Sequence, residues 1–176
     1  MTALIEALTV GAAATAHCNG PTSVAKDKPM TLLTLPPGAG RTFGPGLTEK
    51  VEFGRSPDFS VFQGDLEPGS DGPPPHVHRV YDEAFYVLAG SVRFTSDGET
   101  EDCVAGSFVF VPRGSAHGFA NPSEVPASLL VVVTARAIQL VESAEALMDH
   151  GRPVDGEALL ALFADHDTEV LGPPPR

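Results

Sequence analysis

The sequence predicts an all-β fold, an antiparallel sandwich or barrel. From Thr31 to Thr134, short apolar runs are punctuated by glycine and proline at about 8–12-residue spacing, in a chain that holds 18 Gly and 17 Pro. Within several runs apolar and polar residues alternate with the period of two that a half-buried strand requires. Helical patterning enters only after residue 136.

Taken in order, Thr31 to Leu35 reads as a short strand closed by Pro36-Pro37-Gly38. Arg41 to Phe43 and Leu47 to Phe53 follow, separated by Gly44-Pro45-Gly46. Asp58 to Leu66 places Phe59, Val61 and Gln63 on one face and Ser60, Phe62 and Gly64 on the other. Pro68-Gly69 to Pro75 is turn-rich, and its prolines restrict the chain just before His76. Glu83 to Leu88 and Val92 to Phe94 read as a hairpin across Ala89-Gly90. Asp97-Gly98 is a strong turn signal leading to Glu99–Val104. Ser107 to Val111, His117 to Asn121 and the nearly continuous apolar run Ala127 to Thr134 complete the strands. Beyond them Ser143 to Asp149 carries a serine cap and ends at Gly151. A second short helix runs from Asp155 or Gly156 to about Ala164, with Leu159, Leu160, Leu162 and Phe163 as its buried stripe. The expected organisation is a tail and linker over 1–30, a barrel over 31–135, and a helical extension with a proline-rich end over 136–176.

The chemistry concentrates between Gly72 and Asn121. His76 and His78 lie two apart on one strand, so their side chains share a face. Glu83 opens the next apolar run, and His117 begins a later one. A His-x-His pair taken alone is more often a surface pair than a ligand pair. Here, however, three of only six histidines fall at these positions. If the strands are neighbours, three imidazoles and a carboxylate form a mixed nitrogen and oxygen site for one divalent transition metal: iron, nickel, manganese, copper or zinc. Four protein ligands leave positions open for water, oxygen or substrate.

These residues resemble the two motifs of the cupin superfamily. His76, His78, Glu83 and Gly90 match the first, HxH-x4-E-x6-G. Its leading glycine falls at Ser70, so Gly69 or Gly72 must serve. Gly106, Pro112, Gly114, His117 and Asn121 match the second without departure. The resemblance runs from near Met30 to about Thr134. It implies a cupin jelly roll (a double-stranded β-helix barrel), here with short C-terminal helices, and His76, His78, Glu83 and His117 as metal ligands. It also implies a small single-domain cupin similar to the quercetin dioxygenase group. The expected activity is therefore a metal-dependent dioxygenase, an oxidoreductase using O2 on a small aromatic or diketone-like (flavonol-type) substrate, with Glu83 as catalytic proton acceptor. The expected pocket residues are Phe62, Tyr81, Phe85, Phe110, Phe119 and Val131. Two alternatives stand beside it: a metal-dependent isomerase or lyase of a small metabolite, with Arg93 or Arg113 as a cationic clamp, and a non-catalytic small-molecule-binding cupin.

Composition bounds the partners. A net charge of -12 opposes binding to nucleic acid, whose phosphates require Lys and Arg, and to an anionic membrane surface. No run is long enough for a transmembrane helix. Two cysteines, Cys18 and Cys103, make no disulfide framework, which favours the cytoplasm. The Ala-rich first segment contains Ala14-Thr15-Ala16, similar to an export cleavage site, but has no basic residue before it. A peripheral helix, a mobile tail, or a start at Met30 is the preferred expectation over export. A homodimer with a small-molecule substrate is expected.

Overall fold

The structure is a computed structural model that describes residues 32–43, 46–51, 55–134, 139–140, 143 and 156–171. The expectations for 1–30, for most of the Ser143–Asp149 helix and for the proline-rich end lie outside the described residues.

Eleven strands and one helix are described: β1 (Arg41–Phe43), β2 (Leu47–Val51), β3 (Phe59–Leu66), β4 (His76–His78), β5 (Glu83–Ala89), β6 (Ser91–Ser96), β7 (Glu99–Val104), β8 (Phe108–Val111), β9 (Ala116–Ala120), β10 (Ala127–Thr134), α1 (Gly156–Asp165) and β11 (Thr168–Val170). They build two antiparallel sheets. The first has the order β1-β2-β3-β10-β5-β8 and the second β11-β4-β9-β6-β7. This is the all-β jelly roll expected, with a core between the two sheets.

The alternation read in the sequence becomes the core directly. In β10, Ala127, Leu129, Val131 and Val133 are buried while the residues between them are less so. Across the layer, Phe85 of β5 packs edge-on against Phe94 of β6 and Phe119 of β9, with ring centroids 5.1 and 5.3 Å apart. Each such side chain, once buried, contributes about 1.5–3 kcal/mol, so these strands define the inward register decisively.

Three expectations are corrected. Leu32 to Pro36 forms no strand, and Leu32 is 91% exposed; among the described residues this stretch has no sheet neighbour, and a strand needs one for its backbone groups. The β5–β6 connection is not a hairpin. A single residue, Gly90, cannot close the two-residue turn a hairpin needs. The chain instead passes from the first sheet, where β5 pairs with β10 and β8, to the second, where β6 pairs with β7 and β9. Lastly, the C-terminal segment is not wholly helical. After α1 the chain forms β11 and pairs with β4, placing Thr168 opposite His78 and Val170 opposite His76.

Candidate metal centre

The register of the second sheet sets the three histidines. β4 runs against β9 with His76 opposite His117, and His78 follows on the same face of β4. Glu83 comes from β5 in the other sheet, so the cluster bridges the two layers. All four side chains are buried, and one ligand atom from each lies within 4.8 Å of all the others. His76 Nε2 is 3.1 Å from His78 Nε2. Glu83 Oε2 is 3.2 Å from both His78 Nε2 and His117 Nε2.

These residues fit a divalent metal. Donors about 2.0–2.2 Å from one centre and roughly at right angles lie about 3 Å from each other, which matches the shortest separations. The outer ring nitrogens are also anchored. His76 Nδ1 donates to the Pro74 carbonyl at 2.8 Å and His117 Nδ1 to the Ser115 carbonyl at 3.2 Å. A carbonyl only accepts, so each Nδ1 carries a hydrogen, and with a metal bound each Nε2 would give that metal its lone pair. His78 Nδ1 lies 3.0 Å from the Thr168 hydroxyl.

The electrostatics agree with a ligand set. Burial first, then the neighbouring His117 and His78, push the His76 imidazole down to about 4, so it is neutral at neutral pH. In the metal-free cluster burial favours protonated Glu83, but hydrogen bonds from the site-facing nitrogens of His117 and His78 outweigh it and hold the carboxyl at about 2. Glu83 is therefore an anion. Beneath His78 the Tyr81 ring stacks at 4.2 Å. Burial raises its phenol well above the ordinary value, so it stays protonated.

Gly72 serves as the glycine ahead of the first motif. Its φ is +65°, and a Cβ there would stand 1.8 Å from the Phe119 carbonyl oxygen. Only glycine lets this loop approach β9 so closely. Asn121 ends the second motif with its side chain fully buried. Its amide donates to the carbonyls of Leu66, Glu67 and Val125, and its oxygen accepts from Ser123. It is a loop clamp.

A pocket of about 100 Å³ opens beside the cluster, with His76, His78 and Glu83 in its lining. Of the six pocket residues expected, Phe62, Tyr81, Phe85, Phe119 and Val131 line it. Phe110 does not. It is 58% exposed on the outer side of the first sheet, because β8 buries Val111 instead, and the strand's neighbouring apolar residues left its register open. Sequence reasoning missed Leu140, Phe163 and Val170, which wall the pocket from the C-terminal segment. The apolar stripe of α1 was the available signal for Phe163; nothing local marks Val170.

A cupin-domain family model matches residues 62–133. An uncharacterised protein of Streptomyces coelicolor is 36% identical over 75 residues, spanning 42% of this chain and 69% of that protein. The chain belongs to the cupin superfamily. This cupin is also 28% identical over 83 residues to an uncharacterised Aquifex aeolicus protein, of which it spans 66%, while 47% of the present chain is covered. Among solved structures, a sugar phosphate isomerase of Silicibacter pomeroyi is 31% identical, with a TM-score of 0.45 over 51% of this chain and 59% of that one. A polyketide cyclase of Streptomyces resistomycificus is 27% identical, with a TM-score of 0.47 over 51% and 63%. Among the described residues no helix is long and apolar enough to cross a membrane.

Proposed function

We propose that this cupin is a metal-dependent dioxygenase acting on a small, largely apolar molecule with an ionisable enol or phenol oxygen. The observation that supports it is the pocket: among the described residues its lining apart from the ligands is almost wholly apolar and includes no lysine or arginine. The two arginines considered as a clamp are engaged elsewhere. Arg93 pairs with Asp102 and Arg113 with Asp82, both at exposed positions. Against these described residues a phosphorylated or polycarboxylate substrate would lose its hydration without gaining a counter-charge, which is costly. An apolar cavity of roughly 150 Å³ takes benzene, so about 100 Å³ suits a diketone or part of one ring. A flavonol-sized substrate would extend beyond the mouth.

A redox-capable divalent ion held by His76, His78, Glu83 and His117 would supply Lewis acidity and access to dioxygen chemistry. The chain's own groups do the rest. The apolar walls orient the substrate and exclude water. Glu83, ionised and facing the pocket, accepts the proton of the substrate hydroxyl. Tyr81 remains a neutral support beneath His78. The proposal also takes the protein as a homodimer. Tyr86, Phe108 and Phe110, exposed on the outer side of the first sheet, support that part, and sedimentation velocity tests it.

Oxygen uptake decides the activity. Protein purified without chelator, with its metal measured, is offered 2,4-pentanedione, catechol and 3-hydroxyflavone. Saturable uptake with the smaller compounds is expected, lost together with metal in His76→Ala. Metal-loaded protein that consumes no oxygen with any of them, or transforms them equally well without air, sinks the dioxygenase reading. Glu83→Gln that keeps its metal and full turnover removes the proton-acceptor role.

A further inference from the structure

Thr168 lies 90 residues beyond His78, after the segment that carries both motifs, yet it is 2% exposed and sits against the ligand cluster. Its hydroxyl oxygen is 3.0 Å from His78 Nδ1, 3.0 Å from the Tyr81 hydroxyl and 3.3 Å from the His166 carbonyl. A hydroxyl has one hydrogen and two lone pairs. The carbonyl can only accept, so it takes the Thr168 hydrogen. The two lone pairs then receive Tyr81 O–H and His78 Nδ1–H, and every polar atom in the group is satisfied.

We infer that Thr168 is a positioning residue of the metal centre: its hydroxyl holds His78 with the hydrogen on Nδ1 and Nε2 aimed at the site. The inference rests on the metal reading above. Three features of the molecule support it. His76 and His117 are anchored in the same tautomer by backbone carbonyls, so His78 is the ligand whose anchor is a side chain. The anchor's own orientation is set from both sides, by Tyr81 and by His166. Finally, β11 is delivered to this place by backbone bonds that do not involve the Thr168 hydroxyl: Arg79 N–H donates to the Asp167 carbonyl at 2.8 Å and Leu171 N–H to the Pro75 carbonyl at 2.7 Å. Removing the hydroxyl alone therefore leaves the strand in register. The C-terminal segment thus takes part in ligand support as well as in walling the pocket.

The test compares Thr168→Val, which keeps the branched shape without the hydroxyl, with Thr168→Ser, which keeps the hydroxyl. Zinc affinity is read by competition with a chromogenic chelator. Loss of an outer partner of a ligating histidine typically weakens binding 10–100-fold. That loss is expected for Thr168→Val, with recovery to within about threefold of the parent for Thr168→Ser. In the zinc-loaded protein, nitrogen-15 spectra of the imidazoles should show a slowly exchanging His78 Nδ1–H in the parent and in Thr168→Ser. Thr168→Val should lose that protection. Parent protein that binds zinc while Thr168→Val binds as tightly overturns the inference alone, as does a serine variant as weak as the valine one. Parent protein that takes up no metal overturns the metal reading and this inference together. Should the valine variant not fold, the zinc-loaded parent decides: no protected Nδ1–H on His78 overturns the inference.

Discussion

Substituting Gly72 by alanine separates two costs that usually arrive together. The first is conformational. A non-glycine residue at φ near +65° pays about 1–2 kcal/mol. The second is steric and particular to this site. The new Cβ would lie 1.8 Å from the Phe119 carbonyl oxygen, whereas real Cβ atoms essentially never come within 3.0 Å of a neighbour. Backbone must retreat by at least that difference, and both retreating pieces support ligands. Phe119 is two residues after His117 on β9, and Pro74, two residues after Gly72, holds His76 Nδ1. The combined cost should be about 2–4 kcal/mol. At about 2–4 °C per kcal/mol for a chain of this size, the melting temperature should fall by roughly 5–15 °C. Gly98→Ala is the control, since its φ is +83° and nothing lies within 4 Å of the added Cβ. It meets only the conformational cost. Thermal unfolding and zinc competition on both variants decide the matter: Gly72→Ala should lose more stability and also metal affinity, and Gly98→Ala should keep its affinity. If the two variants match in both measurements, the close approach of Gly72 to β9 is not what braces the ligands.

Three further outcomes are expected. Phe85→Ala, which empties the centre of the aromatic cluster, should cost about 3–5 kcal/mol. Val104→Ser, 61% exposed on the second sheet, should stay within about 0.5 kcal/mol; urea titration of both checks the inward register. In chelated protein, stability should decline in two stages on acidification. His76 titrates at about 4 when folded against an ordinary 6.5, so the unfolded chain takes its proton first and stability falls as pH drops between these values. Glu83 is held at about 2 against 4.5, so its contribution is present above 4.5 and is lost from there down to about 2. Denaturation midpoints that rise as pH falls from 6.5 to 4 would contradict this. Phe163→Ala should leave the fold intact and shift oxygen uptake towards bulkier compounds; an unchanged substrate profile would take α1 out of the pocket wall.

The ligand cluster was legible in the sequence because its geometry is local in origin: a strand's period of two puts His76 and His78 on one face, and the glycines and prolines punctuate the strands that carry Glu83 and His117. The hairpin expected across Ala89-Gly90 failed because local turn signals do not reveal when the chain changes sheet. Phe110 was misplaced for a related reason. Phe108-Val109-Phe110-Val111 is apolar on both faces, so alternation cannot tell inside from outside. Thr168 was invisible for want of a local signal. Thr168-Glu169-Val170 carries no motif residue and follows a helical pattern, and only its partner 90 residues earlier gives the threonine its meaning.

That separation also imposes an order in time on the making of the protein. Synthesis delivers the histidines of β4 long before β10 can pair with β3, and β10 before β11 exists. Until Thr168 has been made, the Thr168–His78 bond cannot form, and the edge of β4 that β11 will cover offers its backbone groups to any other strand. Long-range pairings of this kind form late and slowly. The nascent chain thus carries His76, His78, Glu83 and His117 through a stage in which His78 lacks its Thr168 partner, and the cluster is completed only when the last strand docks.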